Sequence, residues 1–160
     1  MIVLKLMHKF EKYFYFMSII SNKNAFRNYE IIDEYECGLV LTGTEVKSLS
    51  HSQASINEAY VTFIKGEAFV LNMHIKNFEQ GNIYNVDPYR TRKLLLNKNE
   101  IIKISFQSQK DGLTVIPIKV YWKNQKLKLL IGLARGKKIH DKREDIKKKD
   151  INKQINRNLF

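Results

Sequence analysis

The sequence predicts a mainly β domain, a small barrel with two to three short helices, carrying a basic C-terminal tail. Three observations point there. From Asn28 to about Gly136 the apolar, β-branched runs are short and punctuated by turn signals. Two pairs of these runs are joined by tight-turn composition, at Lys65-Gly66 and at Lys123-Asn124-Gln125. At Arg135 the composition switches from apolar to charged.

The totals bound the rest. A chain of 160 residues with 44% hydrophobic content fits one domain with tails. The expected division is an N-terminal extension over 1–21, the barrel over 22–136 and the basic tail over 137–160. Lys and Arg number 28 against 16 Asp and Glu, so the chain carries +12 and attracts polyanions, nucleic acid or anionic membrane. Cys37 is the single cysteine, so no intrachain disulfide forms, and His8, His51, His74 and His140 are too scattered for zinc-ligand spacing. A reducing, cytoplasmic setting without a structural metal or cofactor is expected.

The opening "MIVLKLMHKFEKYFYFMSII" has its longest uncharged run from Tyr13 to Asn22, too short to span a bilayer, and it has no small-x-small cleavage site. Lys5, Lys9 and Lys12 recur at helical spacing, but Leu4, Phe10 and Phe16 form no clean apolar stripe. Three readings stay open: a basic amphipathic helix on a membrane surface, a plain extension, or an upstream start ahead of a natural start at Met17.

Along the body, "YEIIDEYECGLVLTG" is rich in strand formers, and Thr42 and Glu45 have capping-box spacing, predicting a short helix over "EVKSLS". "EAYVTFIKGEAFVLNMHI" reads as a hairpin turning at Lys65-Gly66. In "RTRKLLLNKNEIIKISFQSQKDG" the apolar residues fall at mixed helical offsets, predicting two short helices that meet near Asn97. The last hairpin alternates: Thr114, Ile116, Ile118, Val120 and Trp122 are expected on one face, and Leu127, Leu129, Ile131 and Leu133 on one face of the returning strand, whose other face offers Lys126 and Lys128 to solvent. Pro117 has no N–H to donate, so its strand should lie at an edge or carry a bulge.

The tail from Ala134 to Phe160 holds ten Lys and Arg against four Asp and Glu, half of the chain's net charge. Its few apolar residues (Ile139, Ile146, Ile151, Ile155, Leu159) cannot offset chain entropy, so disorder in isolation is expected. Glu144 with Lys148 and Asp145 with Lys149 are acid-before-base i,i+4 pairs that favour a helix once something holds the segment. As a helix, residues 137–160 would span roughly 36 Å.

Motifs for chemistry are missing: no GxSxG, P-loop, Rossmann glycine fingerprint or HExxH occurs. His140 and Asp141 are adjacent, but a solvated arm does not hold them in the mutual geometry proton transfer needs. No catalytic residue is predicted. What rises above background are basic segments mixed with Asn, Tyr or Trp, the composition that meets phosphates and unstacked bases. They are "EVKS" with Lys47, "DPYRTRKLLLNK" with Arg90, Arg92 and Lys93, "YWKNQKLK" with Lys123, Asn124, Lys126 and Lys128, and "GKKIHDKR" with Lys137, Lys138, Lys142 and Arg143. Trp122 reads as core rather than as a stacking platform.

In order, "NKNAF", "GTEVKSLS", "INEAYV", "GEAFVLNMHI", "DPYRTRKLLLNK" and "YWKNQKLKLLIGLARGKKIHDKR" resemble the SsrA-binding protein, or small protein B, family of bacteria, from about Asn22 to Lys149. The resemblance implies a closed β-barrel of the oligonucleotide-binding type without enzymatic activity. It implies binding to the tRNA-like part of transfer-messenger RNA and trans-translation on stalled ribosomes, with elongation factor Tu and alanyl-tRNA synthetase met indirectly through the RNA. By position it puts RNA contacts at Glu36, Leu95, Asn97 and Lys128, and ribosome contacts in the tail at Lys137, Lys138, His140, Asp141, Lys142 and Arg143. A tail helix follows from Ile146 through Lys147, Lys148 and Lys149, in the decoding centre and message channel. A monomer that meets no membrane is expected. The chain departs from the pattern at Ser50, Ser52 and Gln53, where the family has Arg and then Gly-Lys, and at Ile151, where many members carry an aromatic residue. The alternative is a ribosomal protein with a barrel and a basic extension.

Overall fold

In the computed structural model, residues 18–138 are described. The chain runs β1 (Ser18–Ser21), α1 (Ala25–Asn28), β2 (Tyr29–Leu39), α2 (Gly43–Ser50), β3 (Ala54–Ser55), β4 (Tyr60–Ile64), β5 (Glu67–Leu71), β6 (His74–Ile75), a 3-10 turn (Asn82–Tyr84), β7 (Arg92–Leu95), α3 (Lys98–Asp111), β8 (Thr114–Lys123) and β9 (Lys126–Gly136). Seven strands form one antiparallel sheet in the order β1-β8-β4-β5-β7-β2-β9, and β8 also pairs with β9. The pairings therefore run from β8 through β4, β5, β7, β2 and β9 and return to β8, while β3 and β6 make a small separate ladder.

Both tight turns form as their composition requires. Lys65 and Gly66 take φ +50° and +75°, and Asn124 and Gln125 take +49° and +58°, the two left-handed residues of a two-residue hairpin whose twist matches the strands. On β9, Leu127, Leu129, Ile131 and Leu133 are all buried and pack with Val61, Ala68, Val70, Leu94 and Ile104; each such side chain stabilises the fold by about 1.5–3 kcal/mol. The alternation read from the sequence holds on this strand.

On β8 it does not. β8 is no edge strand, since β9 lies on one side and β1 and β4 on the other. The register steps from Pro117 opposite Ile131 to Lys119 opposite Leu130, so one residue, Ile118, is extra. That bulge inverts the phase. Ile116 packs outside the main core with Ala25 and Ala134, whereas Val115 and Val120 belong to the core and Trp122 packs against it.

The expected pair of short helices around Asn97 is also replaced. Arg92–Leu95 is strand β7, with Leu94 opposite Ala68 on β5 and Leu39 on β2, and a single helix of 14 residues follows. Asn97 is its N-cap, the Glu100 carboxylate accepting the Asn97 N–H at 3.0 Å. Gly112, at φ +60°, ends the helix and donates its N–H to the Ser108 carbonyl. Periodicity misread this segment because Leu94 and Leu95 face two neighbours that lie far away in sequence. Ser18–Ser21, expected within the extension, pair with β8, and Asn22 pins that strand by donating to the carbonyls of Ile56 and Pro117 at 3.3 and 3.0 Å.

Helix α2 begins with the expected capping box: Thr42 Oγ1 accepts the Glu45 N–H, and Glu45 Oε2 accepts the Thr42 N–H at 2.8 Å. Ser52 follows the C-cap at φ +57°. Glycine carries that backbone more readily than serine does.

Glu45 does more than cap. It is 4% exposed and also receives Arg90 through Nε at 2.9 Å and Nη2 at 2.5 Å, and Arg92 through Nε at 2.8 Å. Arg92 has no exposed surface. Its remaining N–H groups donate to the carbonyls of Met73 (2.6 Å), Arg90 (3.0 Å) and Pro88 (2.9 Å). Burial pushes the Glu45 carboxyl up, but the Arg90 hydrogen bond, the Thr42 N–H and Arg92 outweigh it, so Glu45 titrates below its ordinary value. Arg92→Ala leaves a carboxylate and three carbonyls without that donor, and urea unfolding should show a loss of about 3–5 kcal/mol.

Candidate nucleic-acid interface

On the outer side of β2, β9 and β8 the register gathers one polar face. Lys128 lies between Gly38 of β2 and Tyr121 of β8, and Leu130 between Glu36 and Lys119. The Glu36 carboxylate accepts hydrogen bonds from the Tyr121 hydroxyl and from Lys123 Nζ, the latter at 3.0 and 2.9 Å. The Tyr121 hydrogen bond first and Lys123 second hold Glu36 below its ordinary range. Burial, then the bond to Glu36, pushes the Tyr121 phenol up, so it stays a donor. Lys119 Nζ stands 5.3 Å from the Tyr121 ring centre.

Next to this face lies a depression of about 460 Å³ lined by Leu41, Val46, Leu95, Trp122, Lys126 and Lys128 among others. Leu95 pairs opposite Gly38. A Cβ at Gly38 would come within 3.3 Å of both Leu95 Cβ and Cδ1, so the bare backbone lets Leu95 lie across β2. There it is 55% exposed and lines the depression with its apolar surface. Trp122 is half-buried, packed against the core and lining the depression at once. Among the described residues, no hydrogen bond or ion pair engages the amines of Lys126 and Lys128.

Of the residues singled out in the sequence, Glu36, Leu95, Lys123, Lys126 and Lys128 converge on this face. Asn124 stands at the turn beyond it and Asn97 two residues past Leu95, both exposed. Lys93 is ion-paired to Glu67. Lys47 faces a different cleft, its Nζ 5.2 Å from the Phe78 ring centre. Arg92 must be withdrawn as an RNA contact, because it is fully buried and committed to Glu45, Met73 and Pro88. Arg90 spends three of its N–H contacts on Glu45 and the Val40 carbonyl. Lys137 donates its N–H to the Asn28 carbonyl and its Nζ to the Phe26 carbonyl, which fixes where the tail leaves the sheet. Lys138 is exposed. His140, Asp141, Lys142, Arg143, Ile146, Lys147, Lys148 and Lys149 lie outside the described residues.

Sequence reasoning passed over Tyr121, Lys119 and Val46. The alternation of Lys119, Tyr121 and Lys123 was the available signal for the first two. Burial pushes the Cys37 thiol up to about 12, too high for a nucleophile. Among the described residues no His, Cys, Asp and Glu cluster for a metal, and no helix is long and apolar enough to cross a membrane.

Comparison with known sequences places the site in a family. The family described as SmpB protein matches residues 19–160. The chain belongs to it. Among its SmpB relatives, an SsrA-binding protein from Ureaplasma parvum serovar 3 is 59% identical over 133 residues, 83% of this chain and 94% of that protein. One from Enterococcus hirae is 50% identical over 141 residues, 88% and 92% of the two chains. A chain from the solved structure described as "tmRNA-SmpB: a journey to the center of the bacterial ribosome" matches with a TM-score of 0.64 and 41% identity, over 75% of this chain and 85% of that one. Within this SmpB chain, Tyr121→Phe removes the first contributor to the low Glu36 titration. A carboxyl NMR titration should find the Glu36 midpoint raised toward its ordinary 4.5.

Proposed function

We infer that this chain is a non-enzymatic RNA-binding adaptor that holds the tRNA-like part of transfer-messenger RNA and delivers it to stalled ribosomes for trans-translation. The observation that carries this is the face where Leu95 is exposed beside the unengaged amines of Lys126 and Lys128, in a chain of the SmpB family. Lysine amines neutralise phosphates, while Leu95 and the exposed edge of Trp122 offer apolar surface to unstacked bases or sugars. Glu36 neutralises Lys123 and presents acceptor oxygens to RNA hydroxyls and amino groups. The return of the strand pairings to β8 supports reading the sheet as a closed barrel of the oligonucleotide-binding type.

The same reading gives the tail, Lys137 to Phe160, the ribosomal part: Lys138, His140, Asp141, Lys142 and Arg143 at the decoding centre, and a helix from Ile146 along the message channel. Elongation factor Tu and alanyl-tRNA synthetase act through the RNA, and the protein works as a cytoplasmic monomer.

Sequencing the RNA that co-purifies with the native protein tests the whole. One structured RNA with a tRNA-like end is expected; bulk ribosomal or messenger RNA alone refutes the reading. Lys128→Ala should lower the salt dependence of RNA affinity by about one unit of slope. Cutting the chain after Gly136 should leave RNA binding nearly intact and abolish tagging on stalled ribosomes, and loss of RNA affinity on truncation would refute this division of labour. A stoichiometric ribosomal protein, in contrast, would stay on all subunits through a high-salt wash.

A further inference from the structure

Helix α3 packs on the sheet through Ile101 and Ile104, both buried in the main core. Lys103 is a second anchor: its Nζ donates to Asp33 Oδ2 at 3.5 Å and stands 5.5 Å from the Tyr35 ring centre. The helix is thereby held as a firm platform, and its outer side is built differently. Lys98, Ile102, Phe106 and Lys110 follow one another at i,i+4, a row roughly 18 Å long flanked by Asn99 and Gln109. All six are exposed, Ile102 at 67% and Phe106 at 62%. At about 100° per residue, the two carboxylates of the helix, Glu100 and Asp111, fall roughly 140–160° round from the middle of that row. Glu100 is also committed to the Asn97 N–H. The outer side is therefore apolar at its centre and cationic at both ends. Among the described residues no hydrogen bond or ion pair engages the Lys98 amine, and the Lys110 amine stands 5.8 Å from the Phe106 ring centre.

Charge and shape identify what fits. Two apolar anchors one turn apart are the spacing by which helices dock on one another. A second copy of this chain would set Lys98 against Lys110 in the two-fold antiparallel arrangement, so the face repels itself. RNA matches the ends of the row but not its centre. Base stacking needs flat, free ring faces, whereas Ile102 has no ring and one side of the Phe106 ring carries the Lys110 amine. A helix with apolar side chains along one stripe and Asp or Glu beside them matches both the centre and the ends.

We propose that the outer side of α3 is a docking face for an acidic amphipathic helix of a partner protein. Ile102 and Phe106 pack on its apolar stripe, and Lys98 and Lys110 pair with its carboxylates. The patch is small, so the contact is a transient one.

The test uses the full chain, isotopically labelled for NMR, and two synthetic helical peptides of about 18 residues. Both carry leucine at i, i+3, i+4 and i+7; one has glutamate at the remaining positions and the other lysine. Only the glutamate peptide should shift the amide signals of residues 98–110. Phe106→Ser should weaken its binding about tenfold, and Lys98→Gln with Lys110→Gln should flatten the salt dependence of its affinity. These side chains are exposed, so the variants should keep the urea midpoint of the unchanged chain. No shifts, shifts confined to Lys126 and Lys128, or an equal response to both peptides overturns the proposal. Shifts at 98–110 with a transcript of the tRNA-like part of transfer-messenger RNA, and none with the glutamate peptide, overturn it in favour of RNA. In living cells, a photo-cross-linking phenylalanine analogue placed at Gln109 should capture a segment rich in Asp and Glu, in a yield that Phe106→Ser lowers. Adducts to RNA alone or to basic segments overturn the docking face. Phe106→Ser should bind the transcript as the unchanged chain does, so failure here leaves the RNA-binding reading standing.

Discussion

One buried carboxylate, Glu45, sets the geometry on which the candidate interface depends. Its two oxygens accept the Thr42 N–H, both arms of Arg90 and the Nε of Arg92. Arg92 in turn reaches the carbonyls of Met73 and Pro88. Four stretches of chain are thereby fixed: the turn into α2, the residue before β6, the loop ahead of β7 and β7 itself. Val46, next to Glu45, and Leu41, next to Thr42, form the wall of the depression opposite Lys126 and Lys128. Buried ion pairs of this kind contribute little net stability compared with apolar packing, but leaving one partner unpaired costs about 3–5 kcal/mol. A wall of the interface stands directly beside this cluster.

Local signals in the sequence were sound wherever the structure is local. The capping box of Thr42 and Glu45, the Lys65-Gly66 and Asn124-Gln125 turns and the β9 alternation all depend on residues a few positions apart, and all form as read. The errors arise where a distant partner decides. Arg92 reads as one more cation in "RTRKLLL" because its carboxylate is 47 residues away. Leu94 and Leu95 read as helical because nothing nearby reveals that β5 and β2 flank them. Leu95 is the clearest case in the site: its exposure follows from the glycine opposite, and that juxtaposition exists only once β2 and β7 are paired.

Charge is apportioned unevenly over this surface. Several cations are already spent inside the protein: Arg92 and Arg90 on Glu45, Lys93 on Glu67, Lys123 on Glu36. Lys126 and Lys128 are not, and they sit together at the start of one strand. Counting basic residues in the sequence therefore overstates what a polyanion meets on the sheet. On the face itself Lys123 is ion-paired to Glu36, and the amines of Lys119, Lys126 and Lys128 are left beside that carboxylate and an exposed leucine.

The extra residue at Pro117–Lys119 works as a half-step in the strand's alternation. Ahead of it Val115 points to the core, and after it Val120 and Trp122 do, so that Lys119, Tyr121 and Lys123 are turned outward beside Glu36 and Lys128. Strand β8 is thus highly sensitive to its own length. Losing a single residue there, with the gene's reading frame intact, would swap inside for outside over the rest of the strand and turn Tyr121 away from Glu36. Among related chains, insertions and deletions should be purged from this stretch, and position 118, which is buried, should stay apolar.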